Sequence, residues 1–154
     1  MSALTATSAA QPVNPTLYVA EPPALYLMRP PLVIDCSALA GIVFQESWQA
    51  QAQHSIAGHT LHAPSLLPYE ITSVTLKKLR RGETHAADGL AQALDMDIDL
   101  HEINTQEVFD LAKRYQLSAF EASYLWLAAE LKCPLATFNE KLASAAQAHL
   151  STLP

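Results

Sequence analysis

Residues 32–39 read LVIDCSAL, and this stretch decides the fold class. Leu32, Val33 and Ile34 form a short apolar run with β-branched members, which by composition is a buried strand over residues 32–36. Asp35 breaks that run at its end. Ser37 then offers a hydroxyl to cap a helix starting near Ala38. A buried strand, an acid and a helix start in succession are the makings of a strand–crossover unit. In open α/β sheets the loops beyond the carboxyl ends of the strands are where sites are built.

Downstream the same alternation recurs. A helical stretch around Ser47–His54 ends before Gly58, and residues 60–63 suit a short strand. Pro64 and Ser65 introduce a helix to about Arg81, which Gly82 stops. Glu83 to Leu94 reads as a further helix, and residues 96–103 (MDIDLHEI) alternate apolar and polar as a strand does. Asn104 or Thr105 caps a helix ending near Tyr115, and Ser118 starts another that runs to about Lys132. Pro134 to Phe138 suits a strand, and Asn139 caps a last helix. Strands separated by helices need crossover connections, so the expected fold is α/β with a mostly parallel central sheet covered by helices.

Upstream of Leu32 the character changes. Six of the ten prolines fall in residues 1–31, with only two charges, Glu21 and Arg29. Proline lacks a backbone donor and clashes with the preceding turn, so no long helix forms there. No basic residue precedes an apolar run as in a secretory signal. The segment reads as a proline-rich arm, 1–31, ahead of a working domain, 32–154. One role open to the arm is packing on a neighbouring subunit to give a homodimer.

The whole chain has 154 residues, half of them hydrophobic and 16% charged, which fits one domain with a real core and excludes disorder. No stretch approaches the roughly 18 apolar residues of a membrane span, so no membrane partner is expected. Cys36 and Cys133 make no CxxC and read as small buried side chains in a reducing, cytoplasmic setting. The net charge is −6, so a general electrostatic coat for nucleic acid is absent. A polyanion would need a local basic patch or a bound cation. Lys77, Lys78, Arg80 and Arg81 supply a candidate patch at a helix end, which the helix dipole also favours. Asp95, Asp97 and Asp99 suggest a calcium loop, but the sixth position is Leu100 and the twelfth is Gln106, so that reading fails. The six histidines show no zinc-like pairing beyond His59 and His62, and read as surface or loop residues.

Three acids stand where the pattern calls for apolar residues. Asp35 ends a buried strand, where it could equally cap a helix. Glu70 shares a helical stripe with Leu67 and Val74, and an ionised carboxylate there is costly unless paired or metal-bound. Glu121 completes a capping box with Ser118, yet Leu117, Leu125 and Ala128 lie on its face. A parallel sheet would bring these element ends together, and gathered carboxylates repel unless a hard cation neutralises them. Mg²⁺ or Mn²⁺ suits such oxygen ligands.

These residues fall in three blocks that resemble the PIN domain, and within it the VapC-like toxins of bacterial and archaeal toxin–antitoxin modules. The blocks are LVIDCSAL (32–39), APSLLPYEITSVTLKKLRRG (63–82) and LSAFEASYLWLAAELKCPLATFNEKLA (117–143). The resemblance covers roughly residues 32–143. It implies a three-layer α/β/α sandwich and Mg²⁺- or Mn²⁺-dependent cleavage of RNA phosphodiesters. It also implies that Asp35, Glu70 and Glu121 are the catalytic, metal-holding acids, with Asn139 a weaker ligand position. Ser37 and Thr137 match hydroxyls near the site, and Lys77, Arg80 and Arg81 are candidate RNA contacts. A cognate antitoxin would be the protein partner. The sequence departs from the family where aspartate usually stands, at Glu121, whose carboxylate is carried on the order of 1.5 Å further by one methylene. It departs again at Asn139, where a fourth acid is common. Those departures leave open a second reading, a degenerate PIN domain that binds RNA or protein without cutting.

Overall fold

The computed structural model describes residues 14–22 and 29–154. Its centre is β2 (Pro31–Ile34), in which Leu32, Val33 and Ile34 are fully buried. Continuous burial on both faces is what a central strand of a parallel sheet requires. On one side β2 pairs in parallel with β3 (Thr60–Pro64), which pairs in parallel with β4 (Ile98–His101). On the other side β2 pairs in parallel with β5 (Leu135–Thr137), and β1 (Tyr18–Ala20) closes that edge antiparallel to β5. The order is β1-β5-β2-β3-β4, the mostly parallel sheet expected.

The helices fill the crossovers. Helices α1 (Cys36–Val43) and α2 (Gln49–Ile56) join β2 to β3, and α3 (Leu67–Arg80) and α4 (Ala86–Asp95) join β3 to β4. Helices α5 (Thr105–Tyr115) and α6 (Ala119–Leu131) carry the chain from β4 back across the sheet to β5, and α7 (Glu140–Leu150) follows. The first four pack mainly among themselves around α1, and the last three among themselves around α6, which lies against β2, β3 and β5. This is the α/β/α sandwich. Because the chain moves from β2 towards β4 and then returns to β5, the strand order reverses between β2 and β5. The carboxyl ends of those two strands therefore mark a switch point, the crevice where open α/β sheets bind ligands.

Two local expectations change. The residue that caps α1 is Asp35, not Ser37, since Asp35 Oδ1 accepts from the Ala38 amide at 2.9 Å. The domain does not begin at Leu32, because Tyr18–Ala20 of the supposed arm belongs to the sheet, in register with Thr137–Leu135. Three residues between prolines are too short to show strand periodicity, and their partner lies over a hundred positions away. Asn14 also meets the domain, accepting from Ser47 Oγ at 2.7 Å. The remainder of the arm, 1–13 and 23–28, lies outside the described residues. Among the described residues no helix is long and apolar enough to cross a membrane.

Close packing beside the switch point depends on Gly41 in α1. A Cβ there would meet the Trp48 ring at 2.7 Å and Phe138 at 2.9 Å. Its absence lets Trp48 and Phe138 stack edge to face, with centroids 6.2 Å apart, on the segment that leads from β5 into α7.

Candidate metal centre

Asp35 leaves the carboxyl end of β2 and is 5% exposed. Both of its oxygens accept hydrogen bonds. Oδ1 accepts from Ser37 Oγ at 2.7 Å and from the Ala38 amide, and Oδ2 accepts from Thr137 Oγ1 at 2.5 Å. Thr137, at the end of β5, is itself wholly buried and also accepts from the Asn139 amide at 2.9 Å. Ser37 Oγ receives the Phe138 amide at 2.9 Å. The two hydroxyls expected near the site therefore clamp Asp35 across the switch point. Burial raises the proton affinity of Asp35 above the ordinary carboxylate level, and the bonds from Thr137, Ala38 and Ser37 oppose that rise.

Glu70 comes from the first turn of α3. One oxygen, Oε1, accepts from Tyr124 Oη at 2.6 Å. Burial is the largest influence on Glu70 and raises its proton affinity; the Tyr124 bond opposes this, and the negative charges of Asp35 and Glu121 add to it. The three carboxylates thus share one electrostatic neighbourhood. Cys36, next to Asp35 in the chain, feels the same field: burial and the charges of Glu70 and Asp35 push its thiol up to about 12, so it stays protonated.

Glu121 behaves differently. Its Oε1 accepts the Ser118 amide at 2.8 Å while its own amide reaches Ser118 Oγ at 3.1 Å, a complete capping box at the start of α6. Its Oε2 accepts from Asn139 Nδ2 at 2.8 Å. Partial burial alone would raise its proton affinity, but the Ser118 and Asn139 bonds and the charge of Lys141 prevail and lower it. Asn139 Oδ1 is occupied by the Leu142 amide at 3.1 Å, capping α7. The capping roles foreseen for both residues are therefore present, and Asn139 turns its amide nitrogen, not its oxygen, towards the acids.

The carboxylates and hydroxyls gathered here offer oxygen donors, as a hard cation prefers. Among the described residues, no three His, Cys, Asp or Glu side chains are arranged to hold one ion jointly. Asp35 and Glu70 feel each other's charge, and two carboxylates of this kind could hold Mg²⁺, an ion that keeps most of its waters and takes one or two carboxylates.

Over 122 residues the chain is 34% identical to VapC ribonuclease Mb0985 of Mycobacterium bovis and to ribonuclease VapC9 of Mycobacterium tuberculosis. That match spans 76% of this chain and 92% of each relative. The chain belongs to the VapC ribonuclease family. Ribonuclease VapC3 of Pyrobaculum aerophilum is 27% identical over 120 residues, spanning 73% of this chain and 92% of that one. The fold is similar to the crystal structure of PAE2754 from Pyrobaculum aerophilum, with a TM-score of 0.60 and 22% identity, covering 77% of this chain and 85% of that one. No family model matches the chain.

In this VapC family member the basic cluster is not brought to the acids. Glu70 opens α3 and Arg80 ends it, ten residues or about 15 Å along the axis. Lys77, Arg80 and Arg81 are exposed there. Lys78 is tied to Glu46 at 2.8 Å and Glu83 at 3.4 Å, and it lies over the Phe44 ring. The cation that acts on Glu121 among the described residues is Lys141, in the first turn of α7. Sequence reasoning missed it, along with Tyr124, because both reach the site from faces that only the tertiary fold defines. It also missed a histidine pair. His62 of β3 and His101 of β4 bond Nδ1 to Nε2 at 2.9 Å, with Asp99 Oδ2 3.8 Å from His62. His62 is therefore a half-buried sheet residue with a partner, not a loop histidine.

Proposed function

We propose that the chain is a Mg²⁺- or Mn²⁺-dependent endoribonuclease, the toxin half of a toxin–antitoxin pair. The observation that supports this reading is that Glu70, bonded by Tyr124 of α6, feels the negative charges of both Asp35 and Glu121, so that a cation near them would relieve their repulsion. The names of the VapC relatives support RNA as substrate. A divalent cation held there would lower the pKa of a bound water and offset charge building on a phosphate. The chain's own part is positional. Thr137 and Ser37 fix the Asp35 carboxylate, Tyr124 engages Glu70, and the Glu121–Asn139 clasp borders the site as a third, already ionised carboxylate. Lys141 stands beside that clasp as a contact for substrate phosphate, with Lys77, Arg80 and Arg81 serving RNA that extends further along the surface.

Exposed apolar side chains on α3 (Tyr69, Leu76 and Leu79) support a protein partner, an antitoxin or a second copy in a homodimer. The free thiols of Cys36 and Cys133 support a cytoplasmic setting.

A second reading is favoured by one observation. Glu121 and Asn139 satisfy each other and two helix ends, so their polar atoms are settled without an ion. A domain completed in this way could bind RNA or protein without cutting it. RNA cleavage separates the two. In Mg²⁺ or Mn²⁺ the wild type is expected to cut single-stranded RNA and to stop in EDTA, while Asp35→Ala and Glu70→Ala lose at least about 100-fold with their folds intact. Cleavage by both variants at the wild-type rate would rule out this site.

A further inference from the structure

Each acid of the site is held by its own set of donors, and Glu70 has the fewest. Among the described residues Asp35 has three donors and Glu121 has two, whereas Glu70 receives only the Tyr124 hydroxyl, at 2.6 Å. Tyr124 is 2% exposed, with its ring in the apolar core and its hydroxyl at the acids. It follows Glu121 by three residues on α6, so both side chains share a face of that helix. The bond to Glu70 ties α6 to α3 at the carboxyl end of the sheet. A buried phenol hydroxyl needs a partner, and here its partner is the one acid whose long side chain is otherwise unconstrained. With Oε1 taken, Oε2 is the oxygen of Glu70 to which no described protein donor is bonded.

We propose that Tyr124 is a positioning residue, which holds Glu70 through Oε1 so that Oε2 is presented to the divalent cation. This inference rests on the reading of Asp35 and Glu70 as the cation site. Tyr124 itself touches neither the ion nor the substrate. Its bond fixes the torsions of the glutamate before the ion arrives, so the ordering cost does not fall on binding.

Calorimetric titration of the full chain with Mn²⁺, without RNA, tests this. Tyr124→Phe keeps the ring and removes only the hydroxyl, so its circular dichroism and Tm stay near those of the wild type. Its Mn²⁺ affinity is expected to fall about 10-fold, the scale typical of groups that orient metal ligands. Glu70→Gln is expected to fall at least as far, and the double variant no further than Glu70→Gln alone, because the tyrosine acts only through the glutamate. Wild-type binding with an unchanged Tyr124→Phe affinity overturns the inference and leaves the cation site standing. Tighter binding by Tyr124→Phe overturns it too, since the bond would then hold the carboxylate away from the ion. No wild-type binding at millimolar Mn²⁺ overturns the cation reading and the inference with it. Should Tyr124→Phe fail to fold, 3-fluorotyrosine at position 124 gives a second measurement. Its ¹⁹F resonance is expected to move on Mg²⁺ addition in the wild type and not in Glu70→Gln, and an unmoved wild-type signal overturns the proposal.

Discussion

At the scale of single residues, three glutamate and aspartate side chains in one crevice are in three different states because of what touches them. Asp35 is desolvated but clamped on both oxygens, Glu70 is desolvated and held at one, and Glu121 is kept ionised by its bonds from Ser118 and Asn139 and by Lys141. The most informative single change is Asn139→Asp. Aspartate also caps helices well, so α7 keeps its N-terminus. The substitution replaces the donor 2.8 Å from Glu121 Oε2 with a like charge. In EDTA near neutral pH, loss of that bond plus the repulsion is expected to lower stability by about 1–3 kcal/mol, or about 2–12 °C in Tm for a chain of this size. Millimolar Mn²⁺ is expected to restore much of it, because the added acid gives the cation another ligand. Thermal melts with and without Mn²⁺ read both effects. A Tm that drops equally in both buffers would show that Asn139 serves the cap and the clasp and is no neighbour of the cation.

At the scale of elements, the parts legible in the sequence are those whose signals are local. The buried run of β2, the caps Asn104, Ser118 and Asn139, and the Ser118–Glu121 box can each be read within a few residues, and each stands where expected. The parts that were not legible depend on partners far along the chain. Strand β1 exists because β5 offers it an edge. Asp35 outcompetes Ser37 as the cap because Ser37 Oγ already bonds Asp35 and receives the Phe138 amide. The His62–His101 pair exists because β3 and β4 align. That pair makes a pH prediction at the sheet edge. Burial first, and the nearness of His101 second, lower the pKa of His62 from 6.5, against the pull of Asp99. A histidine with a lowered folded-state pKa binds fewer protons folded than unfolded. Its contribution is complete above about 6.5 and is lost as pH falls through the lowered value. Wild-type Tm is therefore expected to decline more steeply between pH 7 and 5 than that of His101→Gln, which removes the imidazole beside His62. Asp35 and Glu70, with raised values, drive stability the other way, upward as pH falls. Only the difference between the two melting curves isolates the pair, and parallel curves would remove it as a source of pH dependence.

At the scale of the whole molecule, the net charge of −6 sets how a polyanion can approach. Long-range attraction is absent, so RNA binding must come from a few contacts close to the acids, and each contact has a measurable salt signature. For single strands the slope of log K against log salt changes by about 0.7 for each phosphate contact. Lys141 lies beside Glu121, whereas Arg80 and Arg81 lie about 15 Å from Glu70 along α3. A trinucleotide centred on the acids reaches the first position and not the second. In a Glu70→Gln background, which is expected not to cleave, Lys141→Gln should therefore flatten the salt slope for a trinucleotide by about 0.7. Arg80→Gln with Arg81→Gln should leave that slope unchanged and flatten it only for longer strands. Fluorescence anisotropy across a salt series distinguishes the two variants. If the arginine pair alone flattens the trinucleotide slope, the strand crosses the far end of α3, and the carboxylates at the switch point are not where the phosphate is held.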